Sequence, residues 1–191
     1  MRSTRVATPT PAPEAQRKSS PLKRLAGRLR RLLQGWRVYR RLGRRVAPTV
    51  TLAVHDEPSS EAAAAIRVEA FWRGREVGHV WLVQHAASLP AIIAWWGVAI
   101  EVTPGLRGLG VGEVLLNEMI RLATERGGRH LGVLVRADNW PSLGLCAKCG
   151  FVADTRSNLA AQWAASHGES RPYVLLWRNL GDAPDPVFPD A

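Results

Sequence analysis

The chain of 191 residues contains no run of eighteen uncharged apolar residues, about the length a helix needs to cross a bilayer. The stretch from Ala86 to Ile100 carries no charge, but it is shorter, and its Trp95-Trp96-Gly97 interior suits a buried strand. No spanning segment and a cytoplasmic location are therefore expected. Cysteine is scarce. Cys146 and Cys149 stand too close together to staple a fold, which favours a reducing compartment. They spell Cys-x-x-Cys, but no second pair completes a zinc site, and the Ala-Lys spacer lends little to a redox role. No metal is expected. Acid is missing from one region. Residues 1–48 hold fourteen Lys/Arg against the single Glu14, a charge of +13, while the remainder holds twelve bases and fifteen acids, a charge of −3. The net charge of +10 thus belongs to an arm, and the globular part is mildly acidic.

Within that arm, residues 1–20 are rich in Pro, Thr, Ser and Ala with almost no large apolar side chains, and disorder is expected there. Residues 21–46 differ. Leu22, Leu25, Leu29, Leu32, Trp36 and Tyr39 recur at spacings of three and four, one stripe of a helix, with Lys23, Arg24, Arg28, Arg30, Arg31, Arg37, Arg40 and Arg41 between them. Gly27, Gly35 and Gly43 each weaken such a helix by about 1 kcal/mol, and the like charges repel, so a partner is expected. An anionic membrane surface fits, with the helix lying in its plane and each basic residue contributing ~1 kcal/mol. Docking on the globular domain, phosphate contacts with nucleic acid and a transit peptide are alternatives, nucleic acid being less favoured.

With 46% apolar residues, the rest reads as one α/β domain over 47–180, followed by a disordered tail at 181–191. Strands are expected at 49–54, 66–72, 77–84 and 91–102, the second and third forming a hairpin. A helix is expected from about Gly110 to Arg126, ended by Gly127-Gly128. Then come a strand over 130–136, a short helix over 141–148 and strands at 151–153 and 173–177. Residues 56–64 read as a loop or a helical turn or two, and 156–171 as a polar, alanine-rich insertion.

The organising stretch is Arg107-Gly108-Leu109-Gly110-Val111-Gly112, between an apolar strand and an amphipathic helix. Glycines at a helix start let bare N–H groups and the positive helix end face one point, a phosphate cradle, to which Arg107 adds a fork-shaped cation. A dinucleotide fingerprint would need glycine where Glu113 stands, and a P-loop would need Gly-Lys-Ser/Thr. The order Arg-x-x-Gly-x-Gly after Pro104-Gly105, with Asn139 through Gly150-Phe151 downstream, resembles the GCN5-related N-acetyltransferase (GNAT) family. The resemblance covers residues 49–178 and is most specific from 95 to 151.

It implies a mixed, splayed β-sheet flanked by helices, with acetyl-coenzyme A or another acyl-coenzyme A between the strands at 95–102 and 130–136. It also implies pyrophosphate binding by the amides of Leu109, Gly110, Val111 and Gly112, helped by Arg107 and Gly108. Pantetheine would pair along the strand edge ending at Val102, and Asn139 belongs to the same cofactor block. The implied chemistry is attack of an amine acceptor on the thioester, with a base for the amine and an acid for the thiolate. The sequence departs from the family twice. Cys146 stands where the acid, usually Tyr, is expected, so it is either that acid or a buried helix residue. Only residues 55–65 remain for two helices that shape the acceptor pocket, leaving the pocket open or walled by the arm. Glu101 is the candidate base, a solvent-facing role being its plain alternative; His79, His85 and His167 are weaker candidates. An N-acetyltransferase, peripheral at a membrane, is the expected function. A non-catalytic acyl-coenzyme A-binding module, with Cys146 marking the lost acid, is the alternative.

Overall fold

Alternating apolar residues become a seven-stranded sheet in the computed structural model, which describes residues 48–86, 90–91 and 93–187. The basic arm and residues 188–191 lie outside the described residues, and with them the expectations for the arm. The strands are β1 Thr51–Glu57, β2 Ala64–Trp72, β3 Arg75–Gln84, β4 Trp95–Val102, β5 His130–Arg136, β6 Val152–Ala153 and β7 Tyr173–Asn179, ordered β1-β2-β3-β4-β5-β7-β6. Among the described residues, only β4 and β5 pair in parallel. The helices are α1 Val111–Glu125, α2 Trp140–Lys148 and α3 Leu159–Ser166.

Strand periodicity decides which face is buried. Ile66, Val68 and Ala70 on β2, with Val80 and Leu82 on β3, turn toward α1, whose Leu115, Leu116, Met119 and Leu122 complete the main core. On the opposite face, α3 lays Leu159 and Ala160 beside Ile93, Trp96 and Leu175 in a second, smaller core. The β1–β3 part of that face is polar. His55 and Arg67 meet Glu69 at 3.3 and 2.9 Å, and Arg67 and His79 meet Glu76 at 3.3 and 3.0 Å. Exposed pairs of this kind contribute about 0–1 kcal/mol each. This is a solvated surface.

Three elements differ from the sequence reading. β1 runs on through Asp56, opposite Ile66, where a loop is expected; cross-strand pairing with β2 outweighs the acidic composition. β4 begins at Trp95 because the Trp96 indole Nε1 donates to Ile93 O at 2.6 Å and the His85 amide to Ala94 O at 2.8 Å, holding the preceding turn. The insertion at 156–171 contains α3. Leu159, Ala160, Trp163 and Ala164 form a narrow stripe there, and alanine has the highest helix propensity. In the tail, His130 Nε2 lies 2.7 Å from Pro184 O, and the Asn179 amide donates to Asp185 Oδ1 at 2.9 Å.

Candidate active site

β4 and β5 pair at only three positions, Trp95 with Leu131, Trp96 with Gly132 and Gly97 with Val133. Both strands continue beyond this point, to Val102 and Arg136, as the sheet opens between them. On its other side β4 is bulged. His79 faces Glu101 and Trp81 faces Val98, so Ala99 and Ile100 together oppose Val80. Ala99 sits at φ 50, a left-handed conformation that is costly for a residue with a Cβ. Such strain re-aims the backbone next to the opening.

The splay holds a cleft of about 290 Å³. Two glycines show which face each wall belongs to. A Cβ on Gly97 would fall 2.5 Å from the end of Met119, on the α1 face; one on Gly132 would fall 2.8 Å from the Trp96 ring, on the α3 face. The cleft touches both sides, with Leu116 and Met119 of α1 at one and Trp163 and Tyr173 at the other. It therefore passes through the sheet.

At the α1 side stands the glycine loop. Pro104–Leu106 forms a 3-10 turn, and Gly110 is the N-cap of α1 at φ 93 with no side-chain cap. Gly108 is also left-handed, at φ 75. The first N–H groups of any helix lack intrahelical partners, and here no side chain caps them with a hydrogen bond. A Cβ on Gly112 would fall 3.2 Å from Leu145 and 3.7 Å from Val102, so glycine lets the loop, α2 and β4 close together. Arg107 Nε donates to Val102 O at 2.9 Å, which braces the loop against β4. Lys148 pairs with Glu113, tying α2 to the first turn of α1.

The cleft also brings in the α2 residues predicted from sequence. Asn139 borders it and caps α2 by accepting from the Ser142 amide at 3.3 Å. Cys146 borders it too but is only 5% exposed. Burial, and then the neighbouring Cys149, push its thiol up to about 12. Glu101 is exposed beside His79 on the face opposite α1, and is not among the residues bordering the cleft. His85 lies at the end of β3 at φ 49, and His167 closes α3 against Trp163. Arg136, Trp163 and Tyr173, which do border the cleft, escape the sequence reading. The signal was the Leu159–Ala164 stripe, which places Trp163 on a helix rather than in a loop.

A splayed sheet with a bulged strand on one side of the opening and a glycine-capped helix packed along it is the architecture of the acetyltransferases. The chain belongs to the GNAT acetyltransferase family, whose model matches residues 47–151. Over 77 residues it is 37% identical to a streptothricin acetyltransferase of Streptomyces lavendulae, a match covering 40% of this chain and 41% of that protein. The chain thus spans less than half of that relative in the match. Its fold is similar to that of a Bacillus subtilis acetyltransferase solved in complex with coenzyme A (TM-score 0.54, 16% identity, 69% of this chain and 99% of that one). It is likewise similar to an IAA acetyltransferase of Bacillus cereus (TM-score 0.52, 17% identity, 68% and 100%).

Proposed function

We propose that this protein transfers an acetyl group from acetyl-coenzyme A to an amine. One observation carries the reading: the cleft through the sheet is lined on one side by Leu116 and Met119 of α1, the helix that starts at the glycine loop, and on the other by Trp163 and Tyr173; the loop residues Arg107–Gly112 themselves stand outside the lining, ahead of it on α1. The residues present fit coenzyme A. Gly108, Gly110, Val111 and Gly112 offer main-chain donors to a pyrophosphate at the positive helix end, whereas the Leu109 amide, expected among them, already donates to Leu106 O at 3.3 Å; Gly112 leaves the close approach that a side chain would fill. From Val98 onward β4 pairs with β3 but not with β5, and this free edge on the β5 side suits an extended pantetheine amide chain. Acetyl-coenzyme A supplies the activated thioester; the chain aligns an amine with it, a gain from proximity rather than from new chemistry.

Cys146, read from the sequence as either the acid or a buried helix residue, forms wall in this reading. A thiol near 12 holds its proton far more tightly than an ordinary thiol of about 8.5, so proton transfer from it to a departing thiolate runs uphill. Glu101 is kept as the base, acting through water because it stands outside the cleft lining. The test is acetyl-coenzyme A binding by calorimetry combined with thiol release over a broad amine panel. Binding with stoichiometric release is expected; binding without turnover of any amine would favour the binding-module reading, and no binding would remove both.

For the arm we propose an anionic membrane surface, supported by its apolar stripe and its charge of +13 over residues 1–48. No helix among the described residues is long and apolar enough to cross a membrane, and in-plane binding needs none. Flotation with phosphatidylserine vesicles should retain the full chain at low salt and release it at high salt. Flotation that persists after removal of residues 1–46, or that ignores vesicle charge, would refute this.

A further inference from the structure

The α3 side of the cleft is an aromatic corner. Trp163 borders the opening, with its ring stacked on His167 at 4.5 Å between centroids and an angle of 24°. Tyr173 meets the same ring edge-on at 5.0 Å. His167 Nδ1 donates to the Trp163 carbonyl at 2.8 Å, which fixes the stack at the end of α3. Leu159 and Ala160 anchor the other end of the helix in the second core. The indole is therefore positioned from both directions.

The cleft lining carries charge of one sign. Among the described residues bordering the cleft, Arg136 is the one charged side chain, and no carboxylate or imidazole accompanies it. Asp138 pairs with both Arg136 and Arg171, at 3.3 and 3.4 Å, so two guanidiniums share one carboxylate and these three groups together keep one positive charge. An alkylamine arrives as an ammonium ion at neutral pH. It would meet a cationic rim, with no acid in the cleft to pair with it and no lining base to deprotonate it.

We propose that the acceptor is an aromatic amine carrying a carboxylate, its ring against Trp163 and Tyr173 and its carboxylate toward Arg136. This rests on the N-acetyltransferase reading and names the substrate class for it. An arylamine is already unprotonated at neutral pH, so its nitrogen lone pair is ready to attack. The N–C bond forms to the thioester carbonyl carbon and the C–S bond breaks. The proton lost by nitrogen passes through water, the route by which Glu101 acts, and one proton is gained by the departing thiolate, so the exchange balances with no base lining the cleft. Stacking of rings contributes in proportion to buried aromatic area, and a planar guanidinium matches a carboxylate through paired hydrogen bonds.

The full chain is assayed by thiol release with acetyl-coenzyme A and 4-aminobenzoate, aniline, lysine and spermidine. The expected kcat/KM for 4-aminobenzoate exceeds those for lysine and spermidine by about tenfold or more, the scale of one good contact. Trp163→Ala should raise KM for 4-aminobenzoate about tenfold, with Trp163→Phe largely restoring it and KM for acetyl-coenzyme A unchanged. Arg136→Gln should weaken 4-aminobenzoate but not aniline. Preference for lysine or spermidine overturns the proposal while leaving N-acetyl transfer standing. Acetyl-coenzyme A binding with no arylamine turnover also overturns it, and loss of cofactor binding in the wild-type chain marks failure of the underlying reading instead.

Discussion

Gly110→Val is expected to weaken acetyl-coenzyme A binding by about a hundredfold or more while the sheet remains folded. Gly110 sits at φ 93 at the head of α1. A β-branched residue there costs of order 1–3 kcal/mol if it keeps this conformation. If it relaxes instead, the first turn of α1 rotates and its N–H groups no longer converge. A hydrogen bond to a charged group contributes about 1.5–3 kcal/mol, so losing two of them exceeds the ~2.7 kcal/mol that a hundredfold change requires. Gly108→Ala is the control. It is also left-handed, at φ 75, but no atom lies within 4 Å of the added Cβ, so only backbone strain is introduced and a smaller loss is expected. Calorimetric titration with acetyl-coenzyme A measures both, and thermal unfolding checks that each variant is folded. A folded Gly110→Val protein that binds within about threefold of wild type would show that the loop is not the pyrophosphate cradle.

That loop was legible because its glycines have a physical reason that survives any tertiary context. A left-handed backbone and a close approach both require the absence of a side chain, and Gly108, Gly110 and Gly112 answer those needs locally. The hairpin of β2 and β3 was legible for a similar reason: strict alternation in Ile66, Val68 and Ala70 against Arg67 and Glu69 has one reading only. The extent of β1 depended on pairing across the sheet and could not be read locally. The acceptor side was harder still. Trp163 in the sequence stands among polar and alanine residues, and nothing nearby says that Arg136 and Tyr173 will be cross-strand partners. Cys146 marks another limit. Its place in the family pattern suggests chemistry, but its acidity depends on burial by residues distant in the chain.

The second large effect is expected at the point where β4 and β5 part. Trp96 is 1% exposed, fills the smaller core with Ile93 and Leu175, and borders the cleft. Trp96→Ala should cost about 3–5 kcal/mol, as for a fully buried large aromatic, a sizeable part of the ~5–15 kcal/mol of a typical domain. Across the sheet, a Cβ on Gly132 would lie 2.8 and 2.9 Å from two atoms of the Trp96 ring. The indole cannot yield easily, because its Nε1 is held by Ile93 O at 2.6 Å. Gly132→Ala alone should therefore destabilise by about 1–3 kcal/mol through overpacking. Combined with Trp96→Ala, the new methyl group enters the space the ring has left, and the double variant should be more stable than the two losses predict by about 1 kcal/mol or more. Urea denaturation of the wild type, both single variants and the double variant completes the cycle. Additivity within ~0.5 kcal/mol would mean that the ring and the glycine do not share this space. The paired rows hold the two strands together only as far as Gly97 and Val133, so Trp96 is the last large wedge before the opening. Its removal should therefore weaken acetyl-coenzyme A binding even under conditions where the variant is still folded, since the cleft wall and the core that supports it are one side chain.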